Sequence, residues 1–80
     1  MVLVQFHGIQ RLLTRTHEAQ VPLLKGHRVR DVFLYISNCY PDLSLSEKAV
    51  MVTVNDNISA MNALLNPNDK ISFLPHIGGG

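Results

Sequence analysis

Only one stretch of this 80-residue chain repeats its apolar residues at clear helical spacing. Val29, Val32, Phe33, Ile36 and Tyr40 fall at i, i+3, i+4, i+7 and i+11, which places them along one side of a helix. Pro41 ends that helix, because the residue before a proline is pushed out of the α region. Asp31 sits in the first turn, where the helix dipole favours an anion. No Ser, Thr, Asp or Asn stands directly before Val29, so the start carries no ordinary N-cap signal. A lone amphipathic helix can bury its stripe only against another layer. The other apolar residues must therefore build a sheet.

They alternate as strands do. Val2, Val4 and Phe6 share one face, Leu3, Gln5 and His7 the other, and Gly8 ends the run. Between Ile9 and His17 the pattern is mixed: Gln10 to Arg15 reads as a short helical turn or as a wide hairpin connection. A second strand is expected over about Glu18–Leu24, and Pro22 makes it an edge strand because proline cannot donate to a ladder. Lys25-Gly26 reads as a turn, and Pro41 to Lys48 as a polar loop. Val50–Val54 is the clearest strand, with three valines on one face. Asn55-Asp56-Asn57 is a turn, since these side chains tolerate left-handed backbone. A short strand near Ile58–Ala60 and an irregular stretch follow. Asn66-Pro67-Asn68-Asp69 is a turn with proline in second place. Lys70–Leu74 is the last strand, with Ile71 and Phe73 facing inward. Strand, strand, helix, strand, short strand, strand suits an α+β, two-layer packing in which the helix covers one face of the sheet and the other face stays partly open to a partner.

Composition agrees. The chain is 46% apolar and 16% charged, which suits a folded domain with one modest core. No apolar run approaches a membrane span, and no basic segment precedes an apolar one as in a signal peptide. The net charge of +1 has no strong sign. Arg28 and Arg30 alone make no nucleic-acid footprint. The single cysteine, Cys39, forbids an internal disulfide or a multi-cysteine metal site, which fits a reducing, cytoplasmic compartment.

The chain then leaves its core through Leu74-Pro75-His76-Ile77-Gly78-Gly79-Gly80. Pro75 is expected to block further sheet pairing. Glycine lacks a Cβ, so such a tail can thread a channel too narrow for other residues. Five residues past Pro75 reach at most about 16–18 Å. An ordinary loose chain end or an artificial linker gives the same letters. The expected organisation is a domain over residues 1–75 and a flexible tail over residues 76–80.

The order of elements, with Val52-Thr53-Val54-Asn55, Asn68-Asp69-Lys70-Ile71-Ser72-Phe73-Leu74-Pro75 and the closing Gly79-Gly80, resembles the ubiquitin-like β-grasp sulfur carriers of the MoaD and ThiS types. The similarity is greatest to the small subunit of molybdopterin synthase. Gly78 stands where that family often has another small or apolar residue, and His76 where a second proline is frequent. The thiamine-pathway carriers share the fold and the glycine end; they are usually shorter and lack a Phe-Leu-Pro-like strand.

The resemblance implies a β-grasp fold: a mixed sheet of four or five strands, one main helix on one face, and an extended glycine tail. It implies a carrier and not an enzyme, with no bound cofactor. Its working group would be the Gly80 carboxylate, adenylated at the expense of ATP by a ubiquitin-activating-type adenylyltransferase and then converted by a persulfide donor to a thiocarboxylate. Gly79 and Gly78 would thread the tail. The acceptor would be the large subunit of molybdopterin synthase or an equivalent protein, in molybdenum or tungsten cofactor synthesis. The rival readings are a thiamine-pathway carrier, a modifier that joins Gly80 to lysines, and a non-covalent interaction module. Phe73, Leu74, Pro75 and Ile77 are candidate partner-binding residues, with Leu3 on the same sheet face as Leu74; an exposed apolar patch there would mark an interface.

Other candidates carry less. His7, His17, His27 and His76 show no metal-ligand spacing, so no metal is expected. Cys39 reads as a small buried hydrophobe beside the helix stripe. Asp42, Glu47, Asp56 and Asp69 lie in loops or turns, where nothing in the sequence provides the burial or charge partner a catalytic carboxylate needs.

Overall fold

The helical stripe finds the sheet it requires. A computed structural model describes residues 1–24 and 27–75. It contains β1 (Val2–Gln5), α1 (Ile9–Thr14), β2 (Glu18–Val21), α2 (Val29–Cys39), a 3-10 turn (Pro41–Leu43), β3 (Val50–Val54), β4 (Asn57–Ser59) and β5 (Lys70–Pro75). The five strands lie in the order β2-β1-β5-β3-β4, with β1 and β5 parallel and the other neighbours antiparallel. This mixed sheet under one main helix is the β-grasp arrangement.

The core forms where the inward residues of the sheet meet the stripe of α2. Val29, Val32, Phe33 and Ile36 are buried against Val2, Val4, Phe6, Ile71 and Phe73. The aromatic members pack edge to face: Phe33 on Phe73 at 5.5 Å between centroids, and Tyr40 on Phe6 at 5.4 Å. Such pairs add about 0.5–1.5 kcal/mol to the burial of their area.

The start of α2, unsignalled in the sequence, is satisfied from elsewhere. The Asp31 carboxylate accepts the Arg28 N–H at 2.7 Å, one half of a capping box. The first helical N–H groups donate to a distant loop, Val29 to the Ala63 carbonyl at 3.0 Å and Arg30 to the Met61 carbonyl at 2.8 Å. A loop that meets two of the four orphan donors of a helix end replaces the missing cap. The irregular stretch after β4 thus has a structural task.

Several boundaries differ from expectation. The mixed segment after Gly8 is helical, as α1, and Gly8 enters it at φ +55°, a left-handed conformation that glycine adopts at no steric cost. β2 ends at Val21, directly before Pro22, rather than at Leu24, and it is an edge strand. The loop after Pro41 begins with a 3-10 turn. The last strand includes Pro75, paired in register with Val50.

Two turns are locked together by one carboxylate. Asn55 and Asp56 form the two-residue connection of the β3–β4 hairpin at φ +52° and +69°, the left-handed pair that Asn and Asp tolerate. Asp69 closes the 66–69 turn and is buried. Its Oδ1 accepts the Asn55 side-chain N–H at 2.8 Å and its Oδ2 accepts the Asn66 backbone N–H at 2.8 Å. Asn55 completes the bridge by accepting the Lys70 N–H at its Oδ1, 3.0 Å. Asp69 is therefore structural.

Removing Asp69 strands two donors in a buried place. Asp69→Ala should lower the unfolding free energy by about 2–3 kcal/mol in urea titration. Asn55→Ala and Asp69→Ala together should cost less than the sum of the two, because they share one interaction.

Candidate functional site

The tail's root is the end of β5, and the sheet register shows how it is held. Asn55 N–H donates to the Lys70 carbonyl at 2.8 Å, which fixes the hydrogen-bonded pairs of the β3–β5 ladder as 55/70, 53/72 and 51/74. Pro75 opposite Val50 is then a non-bonded position, so its missing N–H costs that ladder nothing. The expectation that Pro75 blocks pairing is corrected to this extent: the proline ends the strand from within it.

On the other side, β1 leaves the sheet early, since Gln5 opposite Ser72 is its last partner on β5. The Phe73 carbonyl would be orphaned there. Gln10 of α1 takes its place: Nε2 donates to the Phe73 carbonyl at 2.7 Å, in a buried setting, while Oε1 accepts the His7 N–H at 3.1 Å. Gln10 is only 7% exposed. The carbonyl at the first residue of the β1–α1 connection is held in turn by Arg11, whose Nε donates to the Phe6 oxygen at 3.0 Å. The strand that delivers the tail is clamped on both sides to within two residues of its end. Sequence reasoning missed Gln10; the one signal was Gly8, which turns the chain sharply enough to bring residue 10 back onto β5.

The partner-binding candidates separate. Phe73 is 2% exposed and packs on Phe33, so it belongs to the core and is withdrawn as a contact residue; strand alternation puts it on the helix side. Leu74 is half-buried on the open face, directly opposite Met51, and Pro75 is exposed. Leu3 shares that face but pairs with Lys70, four residues up the strand, about 13 Å from Leu74. It does not join a patch at the tail's root. What lies near is His7, whose Nε2 is 2.9 Å from the buried Ser72 hydroxyl. His76, Ile77, Gly78, Gly79 and Gly80 lie outside the described residues.

Cys39 is exposed, against the expectation of burial: it is the last residue of α2 and falls off the apolar stripe. Arg30 pairs with Glu47 at 2.7 Å, and Arg28 donates to the Asn62 carbonyl at 2.6 Å. Among the described residues no three His, Cys, Asp or Glu side chains converge as a metal site would need. No described helix is long and apolar enough to cross a membrane.

A model of the ThiS family matches residues 4–80. The chain belongs to the ThiS family. The match thus takes in the β5 strand, its root and the glycine residues together. Solved structures carry the same β-grasp fold. A protein of Pyrococcus furiosus, provisionally assigned as molybdopterin converting factor subunit 1, superposes with a TM-score of 0.82 at 23% identity, over 95% of this chain and 97% of that one. The small archaeal modifier protein 1 of Methanosarcina acetivorans gives 0.75 at 27% identity, over 99% and 95%. A chain of the BexX/CysO complex of Amycolatopsis orientalis gives 0.72 at 21% identity, over the whole of both. No curated protein matches the chain. This is a family of small ubiquitin-like carriers and modifiers, and the chain has its size.

The Gln10 clamp gives a sharp expectation for a ThiS-family strand that ends beside its tail. Gln10→Ala should cost about 1–3 kcal/mol of stability, the range for orphaning a buried acceptor. In hydrogen exchange, the Leu74 amide, which the register places in the ladder with Met51, should lose protection by more than the global loss alone explains. The near-isosteric Gln10→Glu, which sets a second acceptor against the Phe73 carbonyl, should not restore it.

Proposed function

We propose that this chain is a sulfur carrier whose working group is the carboxylate of Gly80, serving molybdopterin synthesis in the cytoplasm. The family match running through Gly80 is the observation that carries the reading. The similarity to the Pyrococcus furiosus converting-factor subunit supports the pathway. The rigid root of β5 supports the mechanism, because a tail can be aimed only from a fixed foot.

A carboxylate is a poor electrophile. Its oxygen attacks the α-phosphorus of ATP in the activating enzyme, and pyrophosphate leaves. The terminal sulfur of a persulfide then attacks the acyl carbon and displaces AMP. A second thiol cleaves the acyl disulfide so formed, leaving a thiocarboxylate on Gly80 and a disulfide on the donor. The thiocarboxylate is a good nucleophile, useful only when delivered into a site closed to water. Gly79 and Gly78 permit that delivery. In this cycle the chain supplies the acyl group, and ATP, persulfide and acceptor belong to its partners: an adenylyltransferase and the large subunit of a molybdopterin synthase.

The similarity to the Methanosarcina acetivorans modifier protein favours one second reading, in which the same adenylate is captured by a lysine amine and not by sulfur. One experiment separates them. The chain is incubated with its adenylating enzyme, ATP and a persulfide source, and its intact mass is read. Replacement of one oxygen by sulfur, mapped to Gly80 and abolished by deleting Gly80, is the expected result. Lysine-linked adducts without any thiocarboxylate would overturn the carrier reading in favour of the modifier.

A further inference from the structure

Helix α1 is amphipathic the wrong way round. Its one buried residue is polar, Gln10, and its apolar residues face solvent: Ile9 is 68% exposed, Leu12 77% and Leu13 43%. A surface helix normally does the reverse. The clamp on the Phe73 carbonyl explains why Gln10 points inward. Nothing in the fold requires leucine and isoleucine outside.

These residues do not stand alone. Ile9 and Leu13 form one wall of a groove of about 230 Å³, Leu43, Leu45, Val50 and Pro75 supply most of its remaining apolar lining, and Ser44 and Ser46 stand at its polar side. Pro75 and Val50 share the helix side of the sheet, so the groove opens on the side opposite Leu74 and Met51. It lies at the foot of the tail, and Gln10 holds α1 to β5 at that point, 2.7 Å from the Phe73 carbonyl. The groove is therefore preformed. An exposed apolar patch of this kind marks a contact surface.

The tail identifies what covers it. The five residues past Pro75 end at Gly80, a reach of at most about 16–18 Å. An enzyme that holds Gly80 in its active site must close over the surroundings of Pro75. The three glycines have no side chains to grip, so beyond His76 and Ile77 recognition has to come from the folded domain around Pro75. Carrier and modifier readings both begin with adenylation, so the adenylating enzyme is the partner that either one requires.

We propose that the groove between α1 and Pro75 receives a large apolar side chain of the enzyme that adenylates Gly80, and that this contact anchors the domain while the tail enters the active site. The proposal rests on the carrier reading, in the part that the modifier reading shares. It makes Ile9 and Leu13 docking residues that act on substrate binding and leave the chemical step alone.

The test is ATP–pyrophosphate exchange by the cognate adenylating enzyme, measured against the concentration of the chain. Ile9→Arg and Leu13→Arg place a charge in the groove, and Ile9→Ala is a milder variant at a groove residue that is 68% exposed and outside the core. Leu34→Arg, on the exposed side of α2, is the control. Thermal melts and amide spectra establish that each is folded. Each arginine variant should raise KM for the chain about tenfold or more, the loss expected of a buried apolar anchor at an interface. The value of kcat should stay within about twofold, the mark of an interaction used for binding only. Ile9→Ala should move KM the same way by less, and Leu34→Arg should match the unaltered chain. Folded groove variants with unchanged KM would overturn the groove as a docking site and leave the carrier reading standing. A fall in kcat at unchanged KM would overturn it as well. Absence of exchange with the unaltered chain would overturn the carrier reading itself, and this proposal with it.

Discussion

The parallel pairing of β1 with β5 is the constraint on which the rest depends. It places the last strand of the chain in the middle of the sheet, with β1 on one side and β3 on the other. A central strand must be apolar on its covered face and must have both rows of backbone groups satisfied. Ile71 and Phe73 meet the first demand under α2. The second is harder, because the neighbours have different lengths: β3 accompanies β5 to Pro75 and β1 stops at Ser72. The side chain of Gln10 completes the missing ladder position, and Pro75 removes the last N–H that would have needed one. A central strand whose neighbours stop at different residues has to solve this problem, and these two residues are the solution.

The same constraint explains the polar latch at the opposite end of β5. A parallel strand cannot be reached by a tight hairpin, so the chain must travel from β4 through the 60–69 stretch and enter β5 at a fixed register. Leu65 reaches the core on the way, Ala63 and Met61 carbonyls receive the N–H groups of α2, and Asp69 binds Asn55 and Asn66 at the entrance. A slip of one residue here would turn Ile71 and Phe73 to the open face and Ser72 to the core. Asp69 and Asn55 thus hold the register that decides which atoms lie at the root of the tail.

Much of this was legible in the sequence because periodicity reports directly on burial. The stripe of α2 gave Val29 to Tyr40, the alternation in Val50–Val54 and Lys70–Leu74 gave the strands, and the Asn55-Asp56 and Pro67-Asn68 pairs gave the turns. What was not legible has a common cause. Gln10 and the carbonyls of Met61 and Ala63 act on backbone groups far away in the chain, Asp69 reaches across to the side chain of Asn55, and no local pattern records such a bond. The start of α2 lacked a cap in the sequence for this reason. Phe73 shows the opposite error: its inward face was readable from alternation, yet nearness to the tail suggested a partner contact, and position in space overruled nearness in sequence. Cys39 was misplaced because a helix end tolerates an apolar residue just off the stripe. Of the expected contact residues near the tail, Leu74 and Pro75 remain at the surface.

A glycine-rich tail raises the demands on the domain that carries it. Fixing the backbone of one residue costs about 1–2 kcal/mol, and glycine loses the most of any residue. Threading Gly78, Gly79 and Gly80 into a channel therefore opposes binding, and the glycines bring no side chain to offset it. The favourable part must come from apolar side chains that lie close enough to the glycines to act at the same time. Two apolar surfaces flank Pro75: the Leu74–Met51 pair on the open face and the α1 groove on the helix side. Both are fixed by the bonds that terminate β5, the first through the ladder with β3 and the second through Gln10. The polar residue buried in α1 and the apolar residues exposed on it then have one explanation, since the bond that seats the tail's root also turns Ile9 and Leu13 outward beside it.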